Sequence, residues 1–191
     1  MNMIVRGLAA YVCALTIVHA QPVEVEGVKF EPSVQVAGVP LQLNGAGVRT
    51  RFFFKIYAAG LYVPQKAKTA SAVLAQKGPR RMTIAMLRDV DADSFSAALN
   101  DGLRANLTES QFAAFKSQVD TLNANLTAIG EAKKGDTIFF EFAPETGTRI
   151  LVNSQAKGQP IPGESFFDAV LRVWIGEKPA DTELKRGLLG G

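Results

Sequence analysis

The chain has 191 residues, a formal net charge of +3, one cysteine and one histidine. This length is typical of one domain with a sizeable core. The charged residues are scattered, whereas nucleic-acid-binding domains concentrate basic residues on one face, so we predict no nucleic-acid partner.

The first twenty residues have the pattern of an export signal. Arg6 supplies the positive charge, residues 7–18 form a mostly apolar run too short to span a bilayer, and Val-His-Ala at 18–20 fits a small-x-small cleavage site. We predict cleavage near Ala20, a periplasmic or secreted location, and a single domain over residues 21–191. The alternative is that the run stays uncleaved as a short membrane anchor.

Cleavage would remove the residues on which much enzyme chemistry depends. Cys13 and His19 both lie in the leader, so the remaining chain has no thiol and no imidazole. Disulfides, Cys/His metal sites, a Ser-His-Asp triad and a cysteine nucleophile are therefore excluded. No acidic loop has the spacing of a hard-cation site. We predict no metal and no cofactor.

The first half of the domain is predicted to be mostly β-structure. Residues 23–30 alternate as one strand with a bend at Gly27, and residues 34–43 form a hairpin. Asn44-Gly45 predicts a turn, and residues 49–63 then form one long strand rich in Phe and Tyr.

The second half alternates helices and strands. Asp91 is a predicted N-cap, and a capping box begins at Thr108. The predicted elements are a helix over 68–77, a strand over 81–88, helices from 91 to 106 and from 108, a hairpin over 136–155, a Phe-rich helix after Gly163 and a helix over 180–189. We predict an α+β fold with a largely antiparallel sheet and helices packed on one face.

The cationic strand segment is the main candidate for function. Strand alternation places Arg49, Arg51, Phe53, Lys55 and Tyr57 on one face, and leaves a second face suited to a core. One interpretation is an anion site in an apolar cavity, where an arginine fork and a phenol hold a carboxylate. The other is an exposed strand face with solvated cations. A fully extended strand would separate Arg49 from Tyr57 by roughly 26 Å, so a shared ligand requires a bend.

These residues resemble a known family. Gly45-Ala-Gly-x-Arg49, followed by Lys55-x-Tyr57-Ala-x-Gly60, resembles the chalcone isomerase fold family, and the later order of elements fits as well. The resemblance implies an open-faced β-sandwich, in which a helical layer covers a large antiparallel sheet and a ligand cleft lies between them.

The family contains plant enzymes that close a flavanone ring and non-catalytic proteins that bind fatty acids. Arg49 matches the arginine that steadies negative charge in the enzymes. The polar residues on their first long helix fall at Phe95, Ala98 and Gly102, none of which keeps that function. The enzymes' strand threonine matches Tyr57, and a late Thr or Ser falls near Phe167.

Tyr57 instead resembles the fatty-acid-binding branch, in which an Arg and a Tyr hold a carboxylate. The resemblance implies an exported binder of a fatty acid or similar amphipathic carboxylate, with Arg49 as clamp, Tyr57 as second donor and Arg51 as an alternative cation. Phe53, Phe95 and Phe167 are the predicted wall residues. The alternative hypotheses are an isomerase or intramolecular lyase that uses Arg49 as electrophile, and a structural or interaction protein with a closed cleft.

Overall fold

The computed structural model describes residues 21–191, so the predicted export signal lies outside the described residues. The strands are β1 (Val23–Val25), β2 (Val28–Phe30), β3 (Ser33–Val36), β4 (Val39–Arg51), β5 (Phe54–Val63), β6 (Arg80–Met86), β7 (Val90–Asp91), β8 (Glu131–Ala132), β9 (Thr137–Ala143), β10 (Gly147–Val152) and β11 (Gln155–Ile161). The helices are α1 (Ala70–Leu74), α2 (Ala92–Asn106), α3 (Glu109–Ala114), α4 (Lys116–Thr127), α5 (Glu164–Ile175) and α6 (Thr182–Leu188).

Seven of these strands form one antiparallel sheet in the order β11-β10-β9-β6-β5-β4-β3. The predicted α+β class with a large antiparallel sheet is confirmed. The prediction of one strand over residues 23–30 was wrong, because these residues form a separate hairpin that turns at Glu26-Gly27. The hairpin predicted over residues 136–155 is formed by β9 and β10, but β11, which pairs with β10, was not predicted. The exposed, polar sequence of β11 resembles a loop, and its Pro160 is tolerated because the strand lies at the sheet edge.

The two faces of the sheet are covered differently. Helices α2, α4, α5 and α6 pack on one face, and α5 is the most deeply buried of them. The β1–β2 hairpin covers part of the opposite face, where Phe30 packs with Tyr62 and Leu43. Gly60 allows this contact, because a Cβ there would lie 2.6 Å from the Phe30 ring. The helical layer therefore lies on one face only, as predicted.

The helix boundaries follow local capping chemistry. The Asp91 carboxylate accepts a hydrogen bond from the Ser94 amide at 2.8 Å, and the capping box of Thr108 and Gln111 is formed. The second predicted helix is divided at Phe115 into α3 and α4. The caps were readable in the sequence, whereas the break at Phe115 was not.

The predicted long strand over residues 49–63 is two strands. The chain turns at Phe52 and Phe53, which have φ values of 47° and 68°, so that β4 and β5 run antiparallel. Two-residue turns of this kind favour Asn-Gly or Asp-Gly, because residues with a Cβ are disfavoured at positive φ. No residue pattern at this position predicts a turn.

We expect the double substitution Phe52→Asn/Phe53→Gly to stabilise the protein by about 1–2 kcal/mol, because it relieves two left-handed residues without removing buried surface. Chemical denaturation measures this free energy of unfolding. Phe54→Ser is the control, since it removes exposed apolar surface outside the two turn positions. An unchanged or lower stability of the double variant would contradict the proposed strain.

We expect ionisation of Tyr62 to contribute to alkaline unfolding. Burial raises the pKa of this phenol to about 12, although Arg81 opposes the shift. The folded state therefore keeps its proton above pH 10, where the unfolded chain loses it, so this contribution to stability is full below pH 10 and is lost between about pH 10 and 12. Tyr62→Phe should flatten this part of the stability profile in denaturation experiments. A profile as steep as that of the unsubstituted protein would contradict the assignment.

Candidate functional site

Arg49 and Tyr57 are direct cross-strand partners on β4 and β5. Paired residues of an antiparallel sheet project to the same face, and the Arg49 guanidinium carbon lies 5.6 Å from the centre of the Tyr57 ring. The large separation of Arg49 and Tyr57 that one extended strand would impose is therefore wrong. The hairpin brings together the two residues predicted to form the clamp.

A β-bulge at Asn44 determines which face Arg49 occupies. Leu43 pairs with Tyr62 and packs on the β1–β2 side, but the register shifts by one residue before Gly45 pairs with Leu61. The following alternate residues of β4, including Arg49, therefore project toward the helices. The predicted turn at Asn44-Gly45 is instead this bulge within a continuous strand.

The bulge is held by the Asn44 side chain and by helix α6. The Asn44 amide nitrogen donates to the Leu188 carbonyl at 2.7 Å and to the Ala67 carbonyl at 3.0 Å, and its oxygen accepts from the Ala67 amide at 2.7 Å. A Cβ at Gly45 would lie 2.1 Å from the Gly187 carbonyl oxygen. Gly45 therefore permits the close approach of α6 to β4.

Tyr57 is a buried hydrogen-bonded phenol, with 1% of its surface exposed. Its hydroxyl oxygen accepts a hydrogen bond from Trp174 Nε1 at 2.8 Å, which leaves its own proton available for donation. Burial raises its pKa, while the Arg49 charge and the Trp174 hydrogen bond oppose the shift. The phenol is thus neutral and a donor at physiological pH.

Arg49 is half-buried beside this phenol. Among the described residues it forms no ion pair within 4.0 Å. The nearby Asp181 carboxylate is engaged elsewhere: it caps α6 through the Leu184 amide at 2.9 Å and accepts from the Thr50 amide at 3.0 Å. The pair therefore presents an arginine fork and a phenol hydrogen, a donor set suited to an anion.

Phe95 lies at the end of an aromatic row that starts at this site. Trp174 contacts Phe140 with ring centres 5.6 Å apart, and Phe140 stacks on Phe95 at 6.5 Å. Phe95 also borders an internal cavity of about 10 Å³. This space could hold about one water molecule and no acyl chain, so the row is packed as core.

Phe167 is fully buried in a different part of the core. It stacks on Phe142 at 5.5 Å and lies 5.4 Å from the Arg80 guanidinium carbon. Arg80 is buried as well and is neutralised by Asp168 at 2.6 Å and Glu164 at 2.9 Å. Seven residues separate Phe167 from Trp174, or roughly 10 Å along α5, so the structure does not bring Phe167 to the pair.

The sequence interpretation missed the Arg80 cluster because Arg80 stands just outside the predicted strand. Its acidic partners on α5 lie more than eighty positions away. The spacing of Glu164 and Asp168, one helical turn apart, was the available signal. The charge of Arg80 is balanced by Glu164 and Asp168 within the protein, so we assign this cluster no ligand.

Two predicted site residues lie in solvent. Phe53 is fully exposed at the tip of the β4–β5 hairpin, so the prediction that it lines a cleft wall is wrong. Arg51 is also exposed and stacks 5.4 Å from the Phe52 ring rather than facing Tyr57. Phe53 lies beyond the end of β4, so strand alternation does not apply to it. Arg51 is the last residue of β4 and pairs with Phe54, after a register shift that separates it from Tyr57.

Packing residues occupy two of the helix positions at which the resemblance implies polar residues in the enzymes. Phe95 contacts Phe140, and a Cβ at Gly102 would lie 2.6 Å from a methyl carbon of Val173 on α5. Gly102 thus allows α2 and α5 to approach closely. Neither residue can supply a proton or a hydrogen bond from its side chain.

The described residues contain no cluster of three or more potential metal-ligating His, Cys, Asp or Glu side chains. No helix within residues 21–191 is long and apolar enough to cross a membrane. Neither finding bears on residues 1–20.

Comparison with known proteins identifies the family to which this fold belongs. The chalcone isomerase-like family model matches residues 22–190. A search of curated proteins gave no significant sequence match. Among solved structures, a fatty-acid binding protein of Arabidopsis thaliana is similar in fold, with a TM-score of 0.66 and 15% identity over 88% of this chain and 96% of the Arabidopsis chain. Because the family match covers nearly all of the described residues, the chain belongs to the chalcone isomerase-like family.

Proposed function

We propose that this protein binds a fatty acid or a similar amphipathic carboxylate without efficient catalysis. The observation that carries the proposal is the direct pairing of Arg49 with Tyr57 on the helix-facing side of the sheet. The Arabidopsis protein with a similar fold is a fatty-acid binding protein, which supports the same ligand class.

The head group would be held by charge-assisted hydrogen bonds. An arginine fork matches the two oxygens of a carboxylate, and the Tyr57 proton supplies a further donor. Each hydrogen bond to a charged group contributes about 1.5–3 kcal/mol. Trp174 fixes the phenol by donating to its oxygen at 2.8 Å, so the donors are organised before the ligand arrives.

The acyl tail would lie between the sheet and the helices. Trp174, Phe140 and Phe95 now pack closely along this route, next to a cavity of only about 10 Å³. Tail entry therefore requires α2 and α5 to move away from the sheet. The energy needed for this opening would favour long tails, which bury more apolar surface.

The closed packing also favours a second candidate function, a structural or interaction protein whose cleft never opens. The two functions differ in whether any acyl chain binds. The isomerase hypothesis remains a prediction based on Arg49 alone, and a chalcone cyclisation assay of the unsubstituted and Arg49→Ala proteins tests it.

We further propose that the protein acts outside the cytoplasm after cleavage near Ala20. Mass spectrometry of the protein recovered from its host measures its N-terminus directly. A mature chain beginning near Gln21 is the expected result, and a retained Met1 would contradict cleavage.

We expect Arg49→Ala to weaken binding of dodecanoate and hexadecanoate by at least about tenfold, because one charge-assisted interaction is lost. Calorimetric titration of delipidated protein measures the affinity. Arg51→Ala is the matched comparison and should retain affinity, since Arg51 does not face Tyr57. Dodecanol, which lacks the carboxylate, should bind weakly to both.

Three outcomes would contradict this proposal. Equal affinity of the Arg49→Ala and unsubstituted proteins would exclude the clamp. Absence of binding for all chain lengths would favour the closed structural role. Chalcone cyclisation above the uncatalysed rate, lost in Arg49→Ala, would favour the isomerase.

We expect Tyr57→Phe to lower carboxylate affinity by at least about tenfold, because the variant keeps the ring but loses one donor to a charged group. The same titration measures it, and a melting curve shows whether loss of the Trp174 partner destabilises the fold. If affinity is unchanged in a folded variant, the hydroxyl is not part of the site.

A further inference from the structure

The tip of the β4–β5 hairpin carries three consecutive exposed phenylalanines. Phe52, Phe53 and Phe54 are 77%, 101% and 58% exposed. In the described part of the chain, the other exposed large hydrophobic residues are Val23 and Val39, at 43% and 37%. Exposed aromatic residues grouped in this way indicate an interaction surface.

The backbone at the tip has a conformation that these residues disfavour. Phe52 and Phe53 both have positive φ, whereas the corresponding turn positions of other hairpins hold Glu26-Gly27, Ala37-Gly38 and Asn153-Ser154. Phe53 is fully exposed and contributes no packing in return. Folding alone therefore does not account for phenylalanine at both positions.

Basic side chains surround the aromatic tip. The Arg51 guanidinium carbon lies 5.4 Å from the Phe52 ring centre, and the Arg88 guanidinium carbon lies 4.5 Å from that of Phe54. Lys55 follows on β5 and forms an ion pair with Glu26 at 2.6 Å. Both arginines are exposed and form no ion pair among the described residues, so the tip presents unneutralised positive charge.

We propose that this tip docks on an anionic lipid surface, with the three phenylalanine rings among the acyl chains and Arg51 and Arg88 at the phosphate level. Aromatic residues inserted at the boundary with cations beside them match the two layers of such a surface. The proposal rests on the tip alone and does not require the carboxylate site.

A second copy of the chain fits the tip less well. A stable protein interface buries about 800 Å² on each partner, whereas a two-residue turn is a narrow, convex point. A symmetric contact through this point would also bring Arg51 and Arg88 against their copies. A bilayer can accept a narrow wedge and supplies the opposite charge.

Docking would place the proposed ligand site near the lipid. Arg49 lies two residues before Arg51 on the same strand and faces Tyr57 across the hairpin. A carboxylate leaving the bilayer surface would thus meet Arg49 close to the boundary. Lipid docking without carboxylate binding would leave the docking proposal intact and contradict only the proposed function.

Vesicle binding by the full chain tests the proposal, with all variants made in that chain so that residues 1–20 contribute equally. Vesicles contain either phosphatidylcholine alone or an equal mixture with phosphatidylglycerol, and co-sedimentation measures partitioning. We expect binding to the mixed vesicles. Phe52→Asn/Phe53→Gly should reduce it by roughly tenfold for each phenylalanine lost, although the fold is retained. Arg51→Gln/Arg88→Gln should reduce it by about fivefold per residue, and only on anionic vesicles.

A fluorescence reporter locates the contact. Trp174 is the only tryptophan in the sequence and is 1% exposed, so Phe53→Trp adds one exposed reporter over a constant background. We expect its emission to shift to the blue on mixed vesicles and to be quenched by brominated acyl chains. The control Val23→Ser/Val39→Ser removes exposed apolar residues elsewhere and should bind as the unsubstituted chain does.

The proposal is overturned if the tip variants bind vesicles as well as the control does, or if the Phe53→Trp signal does not respond to lipid. It is also overturned if sedimentation velocity shows a dimer that Phe52→Asn/Phe53→Gly abolishes, since the tip would then bind a second copy.

Discussion

The one-residue bulge at Asn44 is the constraint on which the candidate site depends. Strand side chains alternate faces, so without the extra residue Arg49 would project away from the helices and away from Tyr57. The Asn44 side chain fixes the bulge through three hydrogen bonds, one of which reaches the end of α6. The position of Arg49, the proposed binding residue, is thus set five residues earlier, by an amide that does not face Tyr57.

Much of the architecture could be predicted because it follows from local patterns. Asp91 and Thr108 cap their helices as their residue types indicate, and the apolar periodicity assigned the helical layer correctly. Strand alternation placed Arg49 and Tyr57 among the candidates for an anion site, and the family resemblance then distinguished them from their neighbours. Their contact was missed because it results from a turn made by Phe52 and Phe53, residues that normally favour extended structure.

The wrong sequence predictions for the tip of the β4–β5 hairpin have the same cause as the exposed aromatic surface at that tip. A sequence method expects turns to be polar and apolar residues to be buried, and this hairpin departs from both rules at once. Residues that conflict with the local preferences of their backbone are typical of functional sites, where function rather than stability selects the residue type. The Arg80 cluster shows the other kind of error: its charges were unremarkable in the sequence and became buried only through long-range packing on α5.

The close contact between Gly102 and Val173 limits which residues position 102 can accept. A side chain at residue 102 needs space that a Val173 methyl group already occupies, since even a Cβ would lie 2.6 Å away. A polar side chain there, as the family resemblance implies for the enzymes, would first require a smaller residue at 173. A single polar substitution at residue 102 would therefore disturb the packing of α2 on α5, and its effect would depend on the residue at 173.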